Sequence, residues 1–233
     1  MTAWQLNFSC AGLSQTVLNK QKNPHTGVLF MKKLLVLLTL GLLSLNIQAA
    51  DLKEGVNYDL ITPTPPTGSG DEVEVIEFFM YTCPHCKNLD PAVQEWKKKL
   101  PRNVKFQHMP AMFGGAANLH AKNYFALEVM GEAERLHDAW FKAIHDQKRR
   151  LRTQADIDKF LEENGVDMNK FHATLNSFTV QTKANRAAAL MRRYGVRSVP
   201  MMIVDGRYRI KNTPQVLENT DALIEKTLND RKK

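Results

Sequence analysis

Residues Val73 to Met80, VEVIEFFM, are the strongest strand signal in the chain. They are β-branched and aromatic, and the later positions are almost all apolar, as expected of a strand buried on both faces. Glu77 is the exception among them. The period then changes. Leu89, Val93, Trp96 and Leu100 recur at helical spacing, with Lys97, Lys98 and Lys99 on the wet side and at the C-terminal end. This helix is expected to begin at Cys83 and Cys86, since Pro84 suits a first turn, and Pro91 inside it is expected to kink it. Asn103 to Met109 reads as a second strand. From about Ala116 to Tyr194 the pattern is entirely helical. Leu136, Trp140 and Ile144 share one face and Ile157, Phe160 and Leu161 another; Thr153 with Asp156 marks a helix start, and Gly131, Gly165 and Gly195 mark stops. Pro200 to Val204 returns to strand, Asp205-Gly206 supplies a tight turn, Arg207 to Ile210 runs back, and a last helix carries Leu223, Ile224 and Leu228. The order β-α-β, helical block, β-β-α predicts a small α/β sheet domain with an all-helical insertion.

The N-terminus modifies this picture. Residues 31–50, MKKLLVLLTLGLLSLNIQAA, have a positive start, an apolar run from Leu34 to Leu45 and small residues at Ala49 and Ala50, which together predict a secretory signal. The run is shorter than the ~20 residues a membrane-spanning helix needs, although an uncleaved chain would stay anchored. Residues 1–30 contain no acid and precede an ordinary signal start at Met31. They read either as an over-long gene prediction or as a disordered extension. Asp51 to Gly70 is a leader rich in turn formers, and TPTPPTGSG within it can continue neither a helix nor a central strand. The expected organisation is therefore residues 51–115 as the first part of the sheet domain, 116–195 as the helical insertion and 196–233 as the second part.

The formal charge of +8 also changes once this is recognised. Half of it comes from Lys20, Lys22, Lys32 and Lys33, leaving +4 on residues 51–233. Lys148-Arg149-Arg150-Leu151-Arg152 and Arg186, Arg192, Arg193 and Arg197 read as solvated helix faces. A basic stripe interleaved with aromatics, which nucleic-acid binding would require, is not evident.

Candidate chemistry is concentrated in EFFMYTCPHCKNLDP, residues 77–91. Cys10 is the only other cysteine, so an exported chain would have two in its folded part, in a compartment where disulfides persist. A helix N-terminus favours negative charge, which stabilises the first cysteine as thiolate. Cys83 is thus expected to be the exposed, attacking sulfur and Cys86 the shielded, resolving one. His85 can add an N–H or a positive charge. A zinc site would want four ligands, and there is no second cysteine pair and no close spacing among His108, His120, His137 and His145, so no metal is expected. A structural staple is also disfavoured, because so short a loop constrains the unfolded chain little.

Glu77-Phe78-Phe79, Cys83-Pro84-His85-Cys86, Phe113-Gly114-Gly115, Asn176-Ser177-Phe178 and Val199-Pro200 together resemble the DsbA family of bacterial periplasmic thiol:disulfide oxidoreductases, from about Asp51 to the C-terminus. The resemblance implies a thioredoxin-like fold, a cis Pro200 in a loop lying against the cysteines, Val199 offering backbone groups to substrate, and no cofactor. It implies reduced or unfolded exported proteins as substrates, with reoxidation by a quinone-linked membrane protein resembling DsbB. Glu77 matches a buried acid of the family that assists proton transfer to the buried thiol; the alternative is a strand-end carboxylate reaching water. Asp90 occupies the family's second acidic position. His108 stands where lysine is expected, and reads either as a group titrating near neutrality or as a hydrogen-bonded core residue. Met80, Met109, Met112, Met201 and Met202 read as core filling or, at Met112 and Met201 above all, as an adaptable groove for unfolded chains. A reductase or isomerase, and a peptide-binding chaperone with incidental cysteines, are the competing functions.

Overall fold

The computed structural model describes residues 52–63 and 72–232, all within one compact unit, Ala49–Lys233. The segment read as a secretory signal, residues 1–30, Cys10 and most of the Pro-rich stretch lie outside the described residues. Elements run β1 (Tyr58–Leu60), β2 (Val73–Phe79), α1 (Pro84–Lys97), β3 (Val104–Pro110), α2 (Gly115–Met130), α3 (Ala133–His145), α4 (Gln154–Glu163), α5 (Met168–Leu175), α6 (Phe178–Tyr194), β4 (Met201–Val204), β5 (Tyr208–Ile210) and α7 (Val216–Arg231).

The five strands form one sheet in the order β1-β5-β4-β2-β3. Strand β2 lies inside it, parallel to β3 and antiparallel to β4, which explains its near-continuous apolar sequence. Alternation sorts its side chains. Val73 and Val75 join a cluster with Val93, Trp96, Val204, Tyr208 and Leu223, on the side of α1 and α7. Ile76 and Phe78 join the larger cluster built with the helical block, including Phe125, Leu136, Trp140, Phe160 and Phe171. The sheet domain and its helical insertion therefore match the expected architecture.

The local signals acted as read. Thr153 and Asp156 form a reciprocal capping box at the start of α4. Gly131 and Gly195 close their helices in the left-handed conformation. Asp205 and Gly206 both have positive φ, 54° and 62°, the requirement of a type I′ hairpin turn.

Three expectations need correction. Strand β1 lies in the leader read as turn-forming; it is three residues long and pairs only with β5 at the sheet edge, too short to show a period. Lys148 to Arg152 are not a helix face. Helix α3 ends at His145, Lys148 has φ 58°, and the stretch is a loop in which Arg149 pairs with Glu163 at 2.6 Å and covers the Phe160 ring. Helix α1 runs through Pro91 but stops at Lys97, so Leu100 lies beyond it while still packing on the core.

Gly195 connects the last long helix to the Val199-Pro200 loop. Its φ is 62°, and an added Cβ would lie 2.6 Å from Arg209 Nη1. That guanidinium donates to the Tyr194 and Gly195 carbonyls, both at 3.1 Å, and pairs with Asp59 on β1 at 2.9 Å. Gly195→Ala combines left-handed strain with displacement of Arg209, so a loss of about 1–3 kcal/mol is expected. Urea unfolding should show a lower midpoint at unchanged slope.

Candidate active site

The turn after β2 delivers the cysteine pair to the start of α1. Cys83 is the N-cap, with extended backbone angles, Pro84 occupies the first helical position, and Cys86 is three residues into the motif. The Cys86 backbone N–H donates to Cys83 Sγ at 3.4 Å. Sulfur thus takes the place that a serine or threonine oxygen holds in an ordinary cap.

Both cysteines are free thiols in this structure. Cys83 has its pKa lowered to about 6. The Cys86 thiol bonding to it is the largest cause, followed among the favourable ones by the Cys86 and His85 backbone N–H groups and the His85 charge, while burial opposes them. Cys86 is pushed up strongly, by its bond to Cys83 and by burial, with smaller repulsion from Cys83 and Glu77. The pair therefore holds one proton, on Cys86, across the neutral range.

The expected contrast in exposure is smaller than the sequence suggested: Cys83 is 8% exposed and Cys86 1%. The reason is the loop before β4. The Val199-Pro200 peptide is cis, as expected, and the Val199 carbonyl lies 3.6 Å from Cys83 Sγ. His85 is exposed, Val199 and Met201 are half-buried and Pro200 is buried. Met112, also half-buried, presents its N–H to Met191 Sδ at 2.9 Å. Met109 and Met202 are core residues, 2% and 0% exposed, whereas Met80, Met112 and Met201 border the large cluster.

Beneath the pair lies a buried polar group. Glu77 is 2% exposed, which removes the water-facing reading. It stands directly opposite His108 in the parallel register, and Glu77 Oε2 lies 3.1 Å from His108 Nδ1 but off the line of a good hydrogen bond. Asp90, 6% exposed, meets His137 Nε2 at 3.1 Å and accepts from Gln94 Nε2 at 2.8 Å. Its pKa is lowered, with burial opposing the His137 and Gln94 contacts. The His108 and His137 ring centroids are 4.5 Å apart.

Sequence reasoning missed the parts that support the motif. Tyr81 stacks on Trp140 at 4.8 Å between centroids, its hydroxyl meets His137 Nδ1 at 3.0 Å, and its carbonyl accepts from His145 Nε2 at 2.8 Å. Helix α3 thus holds the turn that precedes Cys83. Gln94 was legible as the residue one helical turn after Asp90, whereas nothing local could have placed His137 beside it.

A thioredoxin-like sheet with an acidic cysteine at a helix start, a buried partner thiol and a cis proline against them defines a thiol–disulfide oxidoreductase. The DSBA-like thioredoxin domain family matches residues 74–222. Curated relatives include the thiol:disulfide interchange protein DsbA of Pseudomonas aeruginosa, 38% identical over 192 residues covering 80% of this chain and 90% of the relative. That of Burkholderia cepacia is 39% identical over 202 residues, covering 81% and 95%. The crystal structure of Pseudomonas aeruginosa DsbA is similar with a TM-score of 0.74 at 37% identity, covering 78% of this chain and 98% of that one. The chain belongs to the DsbA-like family, and it is a protein disulfide oxidoreductase with Cys83 and Cys86 as its C-x-x-C pair.

The cysteine electrostatics have a measurable consequence. In the reduced protein, thiolate absorbance or iodoacetamide labelling of Cys83 should titrate with a midpoint near pH 6, with no second step below pH 9. A folded-state pKa below the ordinary thiol value of about 8.5 stabilises the folded dithiol form. That contribution is complete above about pH 8.5 and is lost as pH falls through 6. The disulfide form has no such group, so the stability of dithiol relative to disulfide should rise with pH across this window.

Proposed function

We propose that this protein is an exported disulfide donor acting in the periplasm after removal of a signal peptide at residues 31–50. The single observation that carries the direction of transfer is Cys83, an N-cap sulfur with a pKa near 6. A stable thiolate favours the dithiol form and makes the disulfide form a good oxidant. The DsbA relatives are named for thiol:disulfide interchange, which supports the class of reaction. Among the described residues no helix is long and apolar enough to cross a membrane.

In the proposed cycle a substrate thiolate attacks Cys83 Sγ of the Cys83–Cys86 disulfide. The sulfur–sulfur bond breaks, Cys86 leaves with the electron pair, and its high proton affinity draws a proton to it. A second substrate thiolate then attacks the substrate sulfur of the mixed disulfide and expels Cys83 as a thiolate. The substrate has lost two electrons and the enzyme has gained them. A DsbB-like quinone-linked membrane protein would take them away. Glu77, with His108 beside it and Asp90 in the same buried polar group, is the group proposed to pass the Cys86 proton, a role supported by its burial and its electrostatic influence on Cys86.

Substrate chains are proposed to lie across Val199, Pro200, Met201 and Met112. This is supported by the contact of the Val199 carbonyl with Cys83 and by half-buried Met side chains, which adapt to varied apolar groups.

Three experiments test the reading. Equilibration with glutathione should give a potential well above the roughly −270 mV of thioredoxin, and a value near that one would reassign the protein to reduction. Cys83→Ser should abolish oxidation of a reduced, unfolded protein, whereas full oxidation by that variant would sink the reading of an enzyme acting through Cys83. Met112→Ser with Met201→Ser should weaken peptide capture severalfold, seen as a raised KM, while the glutathione equilibrium stays unchanged. Unaltered capture would remove the methionines from the substrate surface.

A further inference from the structure

The sequence offered no plausible metal site, because its histidines are scattered, but the fold assembles one. Asp90 on α1, His108 on β3 and His137 on α3 each present a ligand atom within 4.8 Å of the other two, and all three residues are buried. We propose that this triad binds a divalent transition-metal ion of the zinc class.

Four observations carry the proposal. The donor set, two imidazoles and one carboxylate, is of the kind that holds zinc and its neighbours. Asp90 Oδ1 and His137 Nε2 are already 3.1 Å apart. Tetrahedral zinc with Zn–N of about 2.0–2.1 Å wants ligand atoms about 3.3 Å from each other, and the His108 nitrogen, within 4.8 Å of both, would close on them as the ion binds.

The far nitrogen of each ring also has a neighbouring oxygen of the kind that orients metal-bound histidine. His137 Nδ1 is 3.0 Å from the Tyr81 hydroxyl, and His108 Nδ1 is 3.1 Å from Glu77 Oε2. Gln94 stands at the same point. Its Nε2 is 2.8 Å from Asp90 Oδ1 and 3.4 Å from His108 Nε2. Turning the amide over would present its oxygen as a fourth donor.

The third observation is charge. Glu77 and Asp90 are buried carboxylates whose ion-pair partners among the described residues are imidazoles rather than lysine or arginine. Buried charges are normally paired or bound to metal, and a divalent ion supplies what two carboxylates lack. Finally, His108 has a way out to solvent: it borders a cavity of about 250 Å³ that Tyr124, Glu128 and Glu134 also line. A bound ion would tie β3, α1 and α3 together directly behind the cysteine turn.

The test uses the full chain in a Cys10→Ser background with the Cys83–Cys86 disulfide formed, so that no thiolate competes for metal. Titration with Co²⁺ should give the visible absorption of tetrahedral cobalt, saturating at one equivalent and displaced by Zn²⁺. His137→Asn and Asp90→Asn should each weaken binding at least tenfold. Absence of the band, or affinity in both variants equal to that of the unsubstituted chain, overturns the proposal. A second readout does not depend on the variants folding: Zn²⁺ should raise the thermal midpoint of the disulfide form, and chelator should restore it. An unchanged midpoint also overturns the proposal.

Discussion

The chemistry depends on Cys83 Sγ serving as the cap of α1, where it accepts the Cys86 backbone N–H at 3.4 Å and, with the larger effect on its pKa, the Cys86 thiol. The first N–H groups of a helix have no partners within it, and here one of them is satisfied by sulfur. C-x-x-C spacing is the spacing of an N-cap and the third helical residue. The same geometry starts the helix, brings the second thiol to the first and gathers donors around one sulfur. Structure and reactivity therefore have a common cause. A substitution that spoils the cap also raises the thiol pKa.

That bond depends on a turn held from outside the sheet domain. Tyr81 is fastened by ring stacking on Trp140, by its hydroxyl to His137 and by its carbonyl to His145, all on α3. The opposite side of Cys83 is set by the Val199 carbonyl from the loop entering β4. The helical insertion thus positions the site as well as enclosing the core, and this explains why Cys83 is more covered than its role as attacking sulfur suggested.

Behind the pair, Glu77, Asp90, His108 and His137 form a polar island between apolar layers. Phe79 lies edge-on to His108 and His137, with centroids at 5.6 and 5.0 Å, and Phe106 lies edge-on to His108 at 4.7 Å. All four residues are buried, so each charge acts strongly on its neighbours. The negative charge of Glu77 contributes to raising Cys86. Whatever cation or proton the island holds is therefore felt at the buried thiol, which links the proposed proton route to the proposed metal.

The sequence by itself determined most of the features that depend on neighbours along the chain. The buried run of β2, the capping box at Thr153, the helix stops at Gly131 and Gly195, the Asp205-Gly206 turn and the placement of Cys83 at a helix start are all local. Each follows from a short-range rule of dihedral angle, cap or period. The resemblance carried by C-P-H-C and Val-Pro supplied the family and the cis proline loop. Strand β1 escaped because three residues at a sheet edge carry no period. Tertiary structure alone decided what meets across distance. It placed His108 opposite Glu77 through parallel register, brought His137 to Asp90 from another helix, and fastened Tyr81 to helix α3. Such contacts arise from packing of apolar faces that say nothing of which polar group lies between them, so no local pattern could announce them.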